Sequence, residues 1–150
     1  MSWLPDPLHP ALVHFPIVLA MVALLFDLVA RLRKGSGGAC ATALLALAAA
    51  GSVATVLSGQ AAHEAAVVPP AARALVARHE QLGELVMYGL LALLSARGLL
   101  AWRRWRHPLL GWGQTLLLAV VVGLVALTGH LGGELVFVHG VGTAPVQRSR

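Results

Sequence analysis

From Gly35 to His63, and again from His107 to Gly133, the chain carries no formally charged side chain. A hydrocarbon core of about 30 Å is crossed by roughly 20 helical residues, so either stretch is long enough to span a bilayer. A third run, Ala11 to Ala30, has Asp27 as its single charge, and a fourth becomes apolar from Leu82 to Trp102 with Glu84 and Arg97 near its ends. Only 11% of the residues are charged and 58% are hydrophobic, whereas a globular domain carries about 25% charged residues. So few charges cannot coat this chain in water, which excludes a soluble domain. Backbone groups in lipid must find hydrogen bonds internally, so the four runs are helices.

The expected spans are about 11–30, 39–60, 80–102 and 109–133, within one domain covering 1–150. Short connections, KGSGG and RRWRHP on one side and Val67 to Pro70 on the other, place sequential helices antiparallel. The fold class is therefore all-α, an integral membrane up-down four-helix bundle. Arg31, Arg33 and Lys34 follow the first span and Arg97, Arg103, Arg104 and Arg106 follow the third. Short loops rich in Arg and Lys stay in the cytoplasm. Both termini are then expected on the extracytoplasmic side of a bacterial inner membrane, in a multi-pass protein. The segment MSWLPDPLHP has no Lys or Arg ahead of the first apolar run, unlike a cleaved signal peptide. Trp102, Trp105 and Trp112 read as an interfacial belt.

The net charge of +5 does not point to nucleic acid, because the basic residues sit in short runs between apolar segments and set topology instead. One cysteine, Cys40, excludes an internal disulfide, a CxxC pair and covalent CxxCH haem attachment. Neither HExxH nor the Glu-x-x-His of di-iron bundles occurs, and no GxSxG, Walker sequence or nucleophile–base pair is present. An electron-transfer or accessory subunit is a better expectation than a free-standing enzyme.

Histidines carry the chemistry. His9 and His14 fall at the outer end of the first span, His63 at that of the second, His79 opens the third, and His130 and His139 end the fourth; only His107 lies on the other side. A bis-imidazole haem site needs two neutral imidazoles from facing helices at one depth. First and third helices are diagonal in a four-helix ring, as are second and fourth. His14 with His79 is one axial pair and His63 with His130 another, with Arg78 placed to meet a propionate. Gly51, Thr55 and Gly59 lead at four-residue spacing to His63, and Ala119, Gly123 and Ala126 lead to His130. Small residues so spaced mark packed helix interfaces. His9 reads as a helix-start residue before Pro10. Imidazoles also suit zinc, copper, nickel or iron bound directly, with Glu64, Glu80 or Glu134 completing the site. Asp27 reads as a local partner of Arg31, four residues on, or of Arg97, ahead of a proton relay.

HPALVHFPIVL with Asp27 in the first helix, Arg78-His79 opening the third and LGGELVFVHGVG after the fourth resemble the bacterial membrane proteins grouped as domain of unknown function 2231. The resemblance covers roughly residues 8 to 142, and the histidines matching its motifs are His9, His14, His79 and His139. It implies a four-helix membrane domain, sometimes joined to Rieske iron–sulfur or cytochrome c modules. That company implies a haem b or quinone-linked electron-transfer role. The positions of His63 and His130 more usually hold an acid and an aromatic residue in that pattern.

The leading expectation is a small membrane cytochrome b. It holds one non-covalent haem b near the outer face between His14 and His79, with His139, His130 and His63 as competing ligands. Electrons would pass between quinone, as substrate, and an extracytoplasmic redox protein of cytochrome c or Rieske type. The alternatives are a haem-free metal-binding protein and a structural or assembly subunit; the bilayer is a partner in every case, and self-association is compatible with each.

Overall fold

The computed structural model describes residues 8–33, 38–105 and 107–143. The link at 34–37, Arg106, and the terminal Arg148 and Arg150 lie outside the described residues, as does Asp6. Among the described residues the secondary structure is entirely helical. Four helices are long and apolar enough to cross a membrane: His9–Leu32, Gly38–Ala65, Pro70–Trp102 and Pro108–Phe137. They are called the first to fourth spans below. Each runs past the expected boundary at one or both ends, by up to ten residues before the apolar part of the third. The third begins as a single 3-10 turn, Pro70–Ala72, where two successive prolines end the preceding connection.

The first span is interrupted at Val13, between His9–Leu12 and His14–Leu32. Pro16 is the cause, because it has no N–H to bond the carbonyl one turn earlier. Its ring is buried against the second span, where a Cβ added to Gly51 would meet Pro16 Cδ at 3.5 Å. The second span thus packs directly against the break, at ordinary van der Waals distance.

Each span packs against its sequence neighbours, and the fourth returns to the first along the sparsest seam. First and third, which run parallel, are therefore diagonal across the ring. The shared core takes Ala20 and Ala23 from the first span, Leu45, Ala48 and Ala49 from the second, Val86, Leu90 and Leu93 from the third, and Leu118, Val121 and Val125 from the fourth. Lipid tails are as apolar as these side chains, so contact is held by van der Waals fit, and small residues tighten it. Gly89 shows how tight: a Cβ there would sit 2.9 Å from Val121 Cγ2.

One expectation about packing is corrected. Gly51, Thr55 and Gly59 do face a neighbour, the first span, through Pro16 and His9. Ala119, Gly123, Ala126 and His130 instead lie exposed on the outer surface of the fourth span. Its packed face is Thr115, Leu118, Val121, Val125, Leu131 and Leu135. Small residues face lipid at no cost, so their spacing alone does not select the inner face.

Candidate functional site: two diagonal polar layers

The bundle is apolar through its middle and polar at two levels, and both levels join the same diagonal helices. At one end, His9 and His79 approach with ring centroids 6.4 Å apart and planes 88° apart. His9 Nδ1 lies 3.0 Å from the Thr55 carbonyl of the second span and 3.2 Å from Ser58 Oγ. His79 Nδ1 lies 3.1 Å from the Thr128 carbonyl of the fourth. A carbonyl only accepts, so in each neutral ring Nδ1 carries the proton and Nε2 keeps its lone pair. All four spans thereby contribute to one pair of oriented imidazoles.

Glycines make room for the rings. A Cβ added to Gly59 would meet His9 Cε1 at 2.9 Å, and one added to Gly132 would meet His79 Cε1 at 3.1 Å. Beside Gly83, one turn below His79, there is open space. Each imidazole thus lies over bare backbone of a neighbouring helix, at separations that an alanine would disturb.

The other histidines stand apart from this pair. His14 is exposed, on the face that includes Val18, Met21 and Leu25, all more than half exposed. The imidazole that meets His79 is therefore that of His9. His63 is exposed and bonds Glu80 Oε1 through Nδ1 at 2.5 Å, joining second and third spans at the rim. His130 is exposed, and no contact between it and His63 is present among the described residues. His139 is half-buried just past the fourth span, and Arg78 is exposed beside His79. Among the described residues no three His, Cys, Asp or Glu side chains converge into a metal-ligand group.

At the opposite end the layer is ionic. Asp27 is 2% exposed and Arg97 9%, and Arg97 Nη2 reaches Asp27 Oδ1 at 3.0 Å across the diagonal. Arg31 Nη2 stands 3.8 Å from the same oxygen. Both partners considered for Asp27 are thus real, and they act together. Thr115 of the fourth span completes the group: its hydroxyl donates to Asp27 Oδ2 at 2.5 Å and accepts from Arg31 Nε at 3.1 Å. Arg97 Nε and Nη2 are buried with no aligned hydrogen-bond acceptor, so the contact with Asp27 is an ion pair without good hydrogen-bond direction. Gly111 leaves space for the Arg31 guanidinium, which a Cβ would strike.

Two members of these layers escaped the sequence reading. Thr115 had no local signal, being one hydroxyl in an apolar helix. His9 had one: eighteen positions separate His9 from Asp27, and eighteen separate His79 from Arg97. That is five turns at 3.6 residues per turn and about 27 Å of helix, close to the thickness of a hydrocarbon core. Two parallel helices with matched polar groups five turns apart can pair them at both ends.

A family model described as "Predicted membrane protein (DUF2231)" matches residues 5–145 of the chain. No curated protein and no solved structure matches it.

Proposed function

The chain belongs to the DUF2231 family of membrane proteins, and within that family we propose that it is a haem-binding electron-transfer subunit whose ligands are His9 and His79. The observation that carries this reading is the convergence of two imidazoles from diagonal helices, each with Nδ1 bonded to a backbone carbonyl. Metal-binding histidines almost always donate their second ring N–H to such a partner, which fixes the tautomer. The two ring centroids lie 6.4 Å apart, and each neutral ring keeps an Nε2 lone pair that would be free to hold a haem iron. The donor set fits a bis-imidazole iron.

When bound, haem b supplies one-electron storage in a site whose axial ligands and surrounding dielectric set its potential. The protein's part is to hold the imidazoles through Thr55 and Thr128, to clear space at Gly59, Gly83 and Gly132, and to exclude water with the core beneath. Arg78, or Arg73 on the same rim, offers a guanidinium for a propionate. His63 and Glu80 occupy each other at the rim, His14 and His130 face outward, and His139 is a neighbour past the fourth span. Electrons would come from quinone and leave to a cytochrome c or Rieske partner, or the reverse.

Arg31, Arg33, Arg103 and Arg104 gather at the end opposite the imidazoles. Short loops rich in arginine are retained in the cytoplasm. We therefore assign the imidazole end and both termini to the extracytoplasmic face of a bacterial inner membrane.

The test is an absorption spectrum of protein purified after expression with ample haem, oxidised and then reduced with dithionite. The expected result is a Soret band and a reduced α band, abolished by His9→Ala or His79→Ala and unaffected by His14→Ala. Absence of both bands from the parent protein overturns the reading. One second reading has an observation of its own: each imidazole also ties two helices together through a carbonyl. A structural or assembly subunit would use them only so, and elemental analysis would then find no iron.

A further inference from the structure

Where the third span ends and the fourth begins there is a shallow surface hollow that the electron-transfer reading does not use. It has a volume of about 690 Å³, opens to the surface, and is lined by Arg104, Trp105, His107, Leu109 and Leu110. We propose that this hollow binds the phosphate headgroup of an anionic phospholipid.

The backbone explains how the cation is presented. Trp105 N–H bonds the Leu100 carbonyl at 3.0 Å and Arg104 N–H bonds that of Ala101 at 3.1 Å. These bonds form a Schellman cap, whose left-handed residue is usually glycine. Here it is Arg104, with φ of 55°, so a side chain occupies a position where glycine would be easier. Arg103 is engaged elsewhere, its guanidinium 5.2 Å from the centre of the Trp102 ring.

A second donor comes from His107, which caps the fourth span. Its Nδ1 accepts from Leu109 N–H at 3.3 Å, so the neutral ring carries its proton on Nε2 and can donate outward. The N-terminus of a long helix adds its positive end, which favours a phosphate. Around these donors stand Trp105, Leu109 and Leu110, which are 60%, 74% and 42% exposed. Tryptophans of this kind lie at headgroup depth, and the leucines below them match the first methylenes of acyl chains. A cation, a donor N–H and an apolar wall together match an amphiphilic anion, as basic pockets beside membrane helices do. The local charge is uncompensated, because Asp27, at this end, is committed to Arg97 and Arg31.

The test uses the full chain in phosphatidylcholine nanodiscs containing phosphatidylglycerol brominated near its headgroup, read by quenching of tryptophan fluorescence. Brominated phosphatidylglycerol should quench a component that Trp105→Phe removes, and brominated phosphatidylcholine should not. Arg104→Gly should raise the half-saturating lipid fraction about tenfold, the loss of one strong charge-assisted contact. It should leave the melting temperature level or higher, because glycine suits the left-handed position. Arg33→Gln, equally basic and exposed but outside the hollow, should shift it less than about twofold. Equal quenching by both lipids, an equal shift from Arg33→Gln, or displacement by inorganic phosphate would each overturn the proposal.

Discussion

The two polar layers link the same pair of helices, yet they are satisfied in opposite ways. At the arginine end Asp27 takes contacts from Arg97, Arg31 and Thr115, so both carboxylate oxygens are used. At the histidine end His9 and His79 each use one ring nitrogen on a neighbour's carbonyl and keep the other uncommitted. The first layer commits its carboxylate fully and ties the diagonal, although Arg97 Nε and Nη2 are left without an aligned acceptor. The second is held in place by its neighbours while keeping ligand capacity. The proposed haem is assigned to the end with lone pairs to spare.

The contrast breaks most readily at the ionic end. Asp27→Ala leaves Arg97 buried without a counter-charge, and removing one member of a buried pair costs about 3–5 kcal/mol. A large fall in detergent melting temperature is expected, with most of it recovered by Asp27→Leu combined with Arg97→Met. A neutral Asp27→Ala would mean that the ionic layer does not hold the helices. Thr115→Val removes the hydroxyl shared by Asp27 and Arg31, at about 1.5–3 kcal/mol for hydrogen bonds to charged groups. The same melting assay measures it.

Smaller effects sharpen the open end. Gly59→Ala puts a methyl 2.9 Å from His9 Cε1, which must shift the imidazole. Overpacking of this kind costs about 1–3 kcal/mol, and under the haem proposal the absorption spectrum should lose intensity or shift in position together with the fall in stability. A variant with unchanged spectrum would count against the proposed haem site between His9 and His79. Least of all should come from His14→Ala and His130→Ala, both on exposed positions, where surface changes usually stay within about 0.5 kcal/mol. Equilibrium unfolding of each variant in mild detergent checks this.

Much of the architecture is readable in charge spacing. Long uncharged runs place the four spans, and prolines at 69, 70 and 108 stand where helices begin. Asp27 is legible as a partner for Arg31 and Arg97, because a buried carboxylate at that depth has few other choices. His79 is legible too, just ahead of the apolar part of the third span and one turn before Gly83. His14 and His9 show the limit. Position alone favours His14 as the ligand and leaves His9 as a helix-start residue, and only the break of the helix at Val13 and Pro16 directs His9 inward while His14 is exposed. The small-residue run ending at His130 misleads for a related reason, since glycine and alanine are as comfortable against acyl chains as against a helix.

Hydropathy and charge, read along the chain, determine that this protein is a membrane protein with four apolar helices, and which positions lie near their ends. Which side of each helix turns inward is decided only in the tertiary structure. In water a polar face and an apolar face would have marked that choice. In lipid both faces are apolar, the usual periodic signal is weak, and the rotation of each helix is set by close contacts such as Gly51 on Pro16, Gly89 on Val121 and Asp27 on Arg97.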